Sequence, residues 1–259
     1  MHFLRWALLG LFLILFVPTG VALARHFAID DRPTDWRTAS HESSGLAPDP
    51  RATPEAVIQV YAAPAFSWRG AFGVHTWIAA KPSGSTTWTR FEVFGWGVRR
   101  GEGAVRVRSG VPDAKWYGAT PELLRDLRGG AEVNALIERL HAAARRYPHN
   151  HEYRVWPGPN SNTFIAYLGR QVPELHIDMP PTAIGKDYLP EGGWVSTAPS
   201  GQGVQLSAKG LLGLTVAPEE GLEFNVLGLT VGIDASPWAI KLPGTGRLGA
   251  PDGPASPHG

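Results

Sequence analysis

Ser161 stands in the run Pro157-Gly158-Pro159-Asn160-Ser161-Asn162-Thr163-Phe164, where a broken, extended segment passes into a short helix predicted over Asn160–Val172. A hydroxyl at a helix start lies beside unpaired backbone N–H groups and the positive end of the helix dipole, which favour developing negative charge. Phe164, Leu168 and Val172 recur at i, i+4 and i+8 and mark the buried face. Ser161, three residues before Phe164, therefore points toward whatever that face covers. The chemistry this placement suits is nucleophilic attack, provided that a base is near. His75 is the natural base. In the predicted strand Ala71–Ala80 it shares a face with Gly73 and Trp77, while Phe72, Val74, Thr76 and Ile78 share the other.

A base of this kind needs a third group to hold its tautomer. Glu92, on the predicted strand Thr86–Gly97, is best placed, and Arg90 on the same strand face is a candidate for binding an anion. Asn160 and Asn162 are candidate oxyanion donors beside the helix amides, and Trp77 and Trp156 are candidate binding residues. Each has a plainer reading. Ser161 among asparagines suits a helix cap, a strand histidine beside tryptophan suits a hydrogen-bonded core position, and Trp68, Trp77, Trp88, Trp96 and Trp156 fill a core as readily as they stack on sugar rings. His149, His151 and Glu152 resemble a metal cluster on paper, but two histidines are too few for a site, so no metal and no cofactor are expected.

These residues need a scaffold, and composition limits what it can be. The 259 residues suffice for a substantial core. A net charge of +1 without a charged block gives no electrostatic case for nucleic acid. The absence of cysteine removes disulfides, thiolate metal sites and thiol nucleophiles at once, and suits an oxidising compartment. With 31 glycines and 23 prolines, strands and turns are favoured over a helical bundle.

At the N-terminus, Arg5 precedes the apolar run Trp6–Val17, and Ala22-Leu23-Ala24 has the small residues of a cleavage site. Residues 1–24 read as a transmembrane anchor or a signal, and residues 6–24 are near the ~20 needed to cross a bilayer. The chain is expected at the cell membrane with its body on the periplasmic, extracytoplasmic side, or secreted to the periplasm after cleavage. Residues 25–53 read as a linker and 54–242 as one α+β domain, with 243–259 as a disordered, Gly/Pro/Ser-rich tail.

Within the body, strands are predicted over Ala56–Ala62, Ala71–Ala80, Thr86–Gly97 and Val105–Val107, joined closely enough for antiparallel pairing. Thr120-Pro121-Glu122 has the chemistry of a helix start, so Pro121–Leu127 is predicted as a short helix. Ala131–Arg146 is a longer amphipathic one, with Val133, Leu136, Ile137 and Leu140 on one stripe. The β-rich part at 203–234 holds strands over Gly203–Ala208, Leu211–Ala217 and Leu222–Ile233, split by the hairpin turn at Pro218–Gly221. Its runs GLLGLTV and VLGLTVG are nearly all apolar, and the preferred reading is a sheet layer buried on both faces; the alternative is a surface that meets lipid.

The segments QVYAAPAFSWRGAFGVHTWIA, YRVWPGPNSNTFIAYLGRQVPEL, TAIGKDYL, LLGLTVAPEEGLEFNVLGLTVGID and KLPGTGRLG make residues 54–249 resemble a bacterial domain-of-unknown-function family, number 3750. That resemblance implies no activity. His75-Thr76 on a strand and Asn160-Ser161-Asn162-Thr163-Phe164 at a helix start are also similar to motifs of circularly permuted papain-like domains, such as lecithin:retinol acyltransferase-type enzymes and PPPDE-type isopeptidases. That likeness implies an antiparallel sheet with helices packed on one side, a permuted papain-like core with a C-terminal β-hairpin region, and a cleft between His75 and Ser161. Where those families carry a cysteine nucleophile this chain carries Ser161, and a serine hydroxyl is far less acidic than a thiol. The expected function is therefore that of a degenerate papain-like domain of the cell envelope, binding a peptide, glycan or lipid ligand in that cleft. The alternatives are a serine-dependent amidase, esterase or acyltransferase, with Ser161 as nucleophile and His75 as base, and a structural membrane-associated protein.

Overall fold

The computed structural model describes residues 2–28, 35–235 and 237–249. The fold is α+β and contains two antiparallel sheets. The first has five strands in the order β4-β3-β2-β1-β5, with β1 Ala56–Pro64, β2 Val74–Lys81, β3 Thr89–Val93, β4 Val105–Ser109 and β5 Glu122–Gly129. Strand β1 is buried from Ala56 to Ala63, as its run of small, β-branched and aromatic residues requires. Two longer helices, α3 Ala131–Arg145 and α4 Ser161–Gln171, lie on one face, and a single turn of helix, α2 Gly95–Arg99, follows β3. The main core joins Ile58, Val60, Ile78 and Phe91 of the sheet to Ile137 of α3 and Phe164 of α4. The opposite face carries a smaller cluster around Val57, Tyr61, Trp77 and Trp88.

Residues 121–127 are a correction to the sequence reading. They are not a helix: β5 pairs antiparallel with β1, Ile58 opposite Leu127 and Ala62 opposite Glu122. The Thr-Pro-Glu start signal is local, whereas β1 has a free edge whose backbone groups need partners. Leu123 packs on the smaller cluster and Leu124 and Leu127 on the main core, a pattern that a shift of register opposite Val60 and Tyr61 allows, so the strand serves both faces of the sheet.

Part of the stretch read as a linker is docked. The buried Asp113 carboxylate accepts hydrogen bonds from the Ser43 hydroxyl at 2.8 Å and from the Leu46 and Ala47 amides at 2.7 and 3.2 Å. Residues 29–34 of that stretch lie outside the described residues.

The second sheet has seven strands in simple succession, β12 to β6. They are β6 Val195–Ser196, β7 Val204–Ala208, β8 Leu212–Ala217, β9 Gly221–Val226, β10 Leu229–Ala235, β11 Trp238–Leu242 and β12 Gly246–Gly249. The sheet thus extends beyond 203–234 at both ends and takes in residues assigned to the disordered tail; 250–259 lie outside the described residues. Its strands are not buried on both faces. Val204, Val216, Leu222, Ile233, Ile240 and Leu248 pair across neighbouring strands in one exposed row. The inward residues Gln205, Thr215, Glu223 and Lys241 are buried. The apolar runs had looked continuous because the residues alternating with Leu and Val are Gly213, Thr215, Thr230 and Gly232, too small or weakly polar to break the pattern.

Helix α1, His2–Ala28, is long and apolar enough over Arg5–Ala28 to cross a membrane, a property it shares with signal sequences. It packs on the turn of 3₁₀ helix at Ser67–Ala71 and on β10 and β11.

Candidate functional site

The start of α4 is fixed by its asparagines. Asn160 caps the helix, its Oδ1 accepting from the Asn162 and Thr163 amides at 3.0 and 3.1 Å, while the Thr163 hydroxyl accepts from the Asn160 amide at 3.1 Å. The Asn160 Nδ2 donates to the carbonyls of Val155 and Ile184 at 2.9 and 3.0 Å. Gly185 has φ +101°, and a side chain there would run into the Asn160 amide. Asn162 accepts from the Thr76 hydroxyl at 3.0 Å and donates to the Val74 carbonyl at 3.0 Å and the Ile184 carbonyl at 2.8 Å. Both side-chain amides hold the scaffold together, so neither is left as an oxyanion donor. Ser161 is 5 % exposed, and its hydroxyl has no hydrogen bond among the described residues.

His75 adjoins Thr76, so on β2 the two side chains point to opposite faces. Thr76 meets α4; His75 lies on the face of Trp77. Its ring is stacked on Trp116 with centroids 3.6 Å apart and planes 7° from parallel, and Phe94 lies parallel to it at 6.0 Å. The Nε2 atom is buried without a hydrogen-bond partner. Burial, reinforced by the positive Arg90, holds the imidazole pKa well below the usual histidine range, so the ring is neutral. A neutral imidazole with a free nitrogen has the protonation state of a general base, but no hydrogen bond joins it to Ser161 among the described residues.

The two residues meet in another way. Both line a single cavity of about 1120 Å³ that wraps around the start of β2. Its wall is largely aromatic: Phe66, Trp68, Phe94, Trp96, Trp116 and Trp156 all contribute. Arg69 and Arg99 also reach it, and neither has a carboxylate partner within salt-bridge distance among the described residues. Trp156 is anchored by its indole N–H, which donates to the Leu227 carbonyl at 2.8 Å in the turn after β9.

The other expected site residues are placed elsewhere. Glu92 is buried and accepts from Arg90 at 2.6 Å, with Arg108 at 3.8 Å, and makes no hydrogen bond to His75. Arg90 also donates to the Val111 carbonyl at 3.1 Å and lies over the Trp77 ring at 4.7 Å. Trp77 is fully buried, stacked on Tyr61 and bonded to the Pro112 carbonyl at 2.7 Å. None of the three lines the cavity. His149 bridges Glu152 at 3.1 Å and the Pro190 carbonyl at 3.0 Å.

Sequence reasoning passed over Trp116, the residue in closest contact with the His75 ring. The available signal was the aromatic pair Trp116-Tyr117 before Gly118, in a loop bounded by no apolar period. A bulky aromatic in such a loop needs a partner surface, and Tyr117 has φ +48°, uncommon for a side-chain-bearing residue.

Searches of curated proteins and of solved structures found no match. A match was found to a family model described as a protein of unknown function, DUF3750, over residues 55–188. That span contains the first sheet, α3, α4 and both His75 and Ser161, and ends before the second sheet begins. The chain therefore belongs to the DUF3750 family.

Proposed function

We propose that this is a cell-envelope protein whose first sheet and α4 form a non-catalytic, papain-like domain that binds a ligand in the cavity between His75 and Ser161. One observation carries the reading: the two residues line one aromatic cavity, yet no hydrogen bond couples them and Glu92 is committed to Arg90. A volume of about 1120 Å³ suits an organic ligand, at the upper end of ordinary binding cavities. The aromatic walls favour an apolar chain or flat rings, as a lipid, a glycan or an aromatic peptide would present, and Arg69 and Arg99 favour an anionic end. The N-terminal helix supports placement at the membrane, with Arg5 on the cytoplasmic side and the body in the periplasm.

The test is to purify the full-length protein from membranes and identify co-purifying small molecules by mass spectrometry. A molecule retained by the wild type and depleted from Trp96→Ala and Trp116→Ala variants is the expected result. Equal retention by all three sinks the reading.

A second reading is a serine-dependent amidase, esterase or acyltransferase. It is supported by the Ser161 hydroxyl, which makes no hydrogen bond at the helix start, and by the neutral His75 ring on the same cavity. Covalent capture by a fluorophosphonate probe, abolished in Ser161→Ala, would replace the binding reading with this one.

A further inference from the structure

We propose that the outward face of the second sheet docks on the lipid surface of the membrane that α1 enters. The inference is independent of the cavity, because it rests on a different part of the molecule. Along β7 to β12 the outward row Val204, Val216, Leu222, Ile233, Ile240 and Leu248 is hydrocarbon from edge to edge. A second row, Val195, Leu206, Leu214, Phe224 and Val231, runs beside it in register, again without a polar atom in its side chains. Seven strands, at about 4.8 Å per step, make the patch roughly 29 Å wide. Scattered apolar side chains are ordinary on a surface; a continuous charge-free face is not.

The face cannot be turned inward by a change of register, because the other side of the same strands is locked by charge. Lys241 is 2.9 Å from Asp178, 3.0 Å from Glu223 and 3.3 Å from Asp234, and Lys186 is 2.6 Å from Glu223. A one-residue slip would expel every one of these groups from its partner.

The sheet's attachment to α1 selects lipid as the occupant. Thr19 and Ala22 of α1 lie against Gly244 in the turn between β11 and β12. They fall inside the apolar span Arg5–Ala28, and Ala22 precedes the end of that span by six residues, about 9 Å of helix rise. With α1 across a bilayer, the β11–β12 turn is fastened about 9 Å inside the end of that span, so the sheet that carries it must meet the membrane. Trp194 and Trp238, 69 % and 61 % exposed near the sheet's margins, have the amphipathic rings that settle at that boundary. A second copy would cover the same residues, but would give no reason for the sheet to be fastened to the apolar helix.

The chain contains no cysteine, so single cysteines report cleanly. Phe224→Cys, Val216→Cys and, as a reference on an exposed turn of the first sheet, Thr86→Cys are each labelled with a small fluorophore. The full-length protein is then reconstituted in vesicles of phosphatidylethanolamine and phosphatidylglycerol. Labels at 224 and 216 are expected to be quenched by acyl-chain doxyl lipids several-fold more than the label at 86, and by aqueous iodide several-fold less. Iodide quenching at 224 and 216 equal to that at 86 overturns the proposal. Shielding from both quenchers overturns it in favour of a contact between two copies. Both outward positions are half exposed, so their substitution leaves the inner ion network intact.

Discussion

The two sheets follow opposite rules. In the first, Ile58, Val60, Ile78 and Phe91 face helices and exclude water, as in an ordinary soluble domain. In the second, the inner face is ionic and the outer face is hydrocarbon. Both sheets are antiparallel and both alternate with period two, so the alternation alone does not say which side is inside. What decides is the partner each face meets. The first sheet meets α3 and α4. The second meets, among other groups, Lys186, Asp178 and Asp187, and Arg170 reaches it from α4 to bond Gln205. Burial opposes the charge on Lys241, but Glu223, Asp178 and Asp234 outweigh it and raise its pKa, so it remains an ammonium.

The contrast can be broken most directly at Lys241. Lys241→Met would suit an apolar interior, yet here it leaves the Asp178 carboxylate without an ion-pair partner among the described residues and takes one cation from Glu223 and Asp234, which keep Lys186 and Arg247, and a loss of about 3–5 kcal/mol is expected from denaturant unfolding. Little or no loss would mean that the inner face behaves like an ordinary core. Ile137→Ala, under the first sheet, is expected to cost about 2–5 kcal/mol by the usual cavity mechanism. On the outer face of the second sheet, Ile233→Ser is expected to change folding stability in detergent by no more than about 0.5 kcal/mol. It should weaken vesicle association instead, measured by flotation. A large folding defect in that variant would show that the outer face is packed within the protein.

A subtler comparison concerns pH. The folded-state pKa of His75 is depressed, so the unfolded chain takes up a proton there before the folded one does. Its effect on stability is therefore absent well above the unfolded value near 6.5 and grows unfavourable as pH falls from there toward the folded value. His75→Phe is expected to flatten the fall in melting temperature on acidification, measured against wild type. Trp116→Ala, by opening one ring face to water, is expected to return the imidazole pKa toward its ordinary value in an NMR titration. An unchanged titration would assign the depression to the strand rather than to the stack.

Much of the first sheet was legible because its residues obey local rules. The alternation in β2, the stripe on α3 and the Pro-Gly-Pro stop before α4 each specify their own element. The strand at Glu122–Gly129 was not, because a helix-start triplet outweighed a pairing visible only once β1 was in place. Ser161 and His75 stand out in the sequence by type and position, and both line the cavity. The expectation that they face each other assumed that His75 lies on the helix side of β2, whereas its neighbour Thr76 does. Trp116, some forty residues away from His75, had no spacing rule to announce it. The second sheet misled for a different reason: glycine and threonine inside an apolar run conceal which side is polar until Glu223 and Lys241 are seen flanking Gly232 from β9 and β11 and meeting over it.

Asn162 joins three chain segments through one side chain: the start of β2, the start of α4 and the carbonyl of Ile184. That corner of the cavity is a rivet, and the walls that meet there cannot part without breaking all three bonds together. On the binding reading proposed above, adaptation to a ligand would fall to Trp68, Trp96 and Trp156, lining residues that are half exposed.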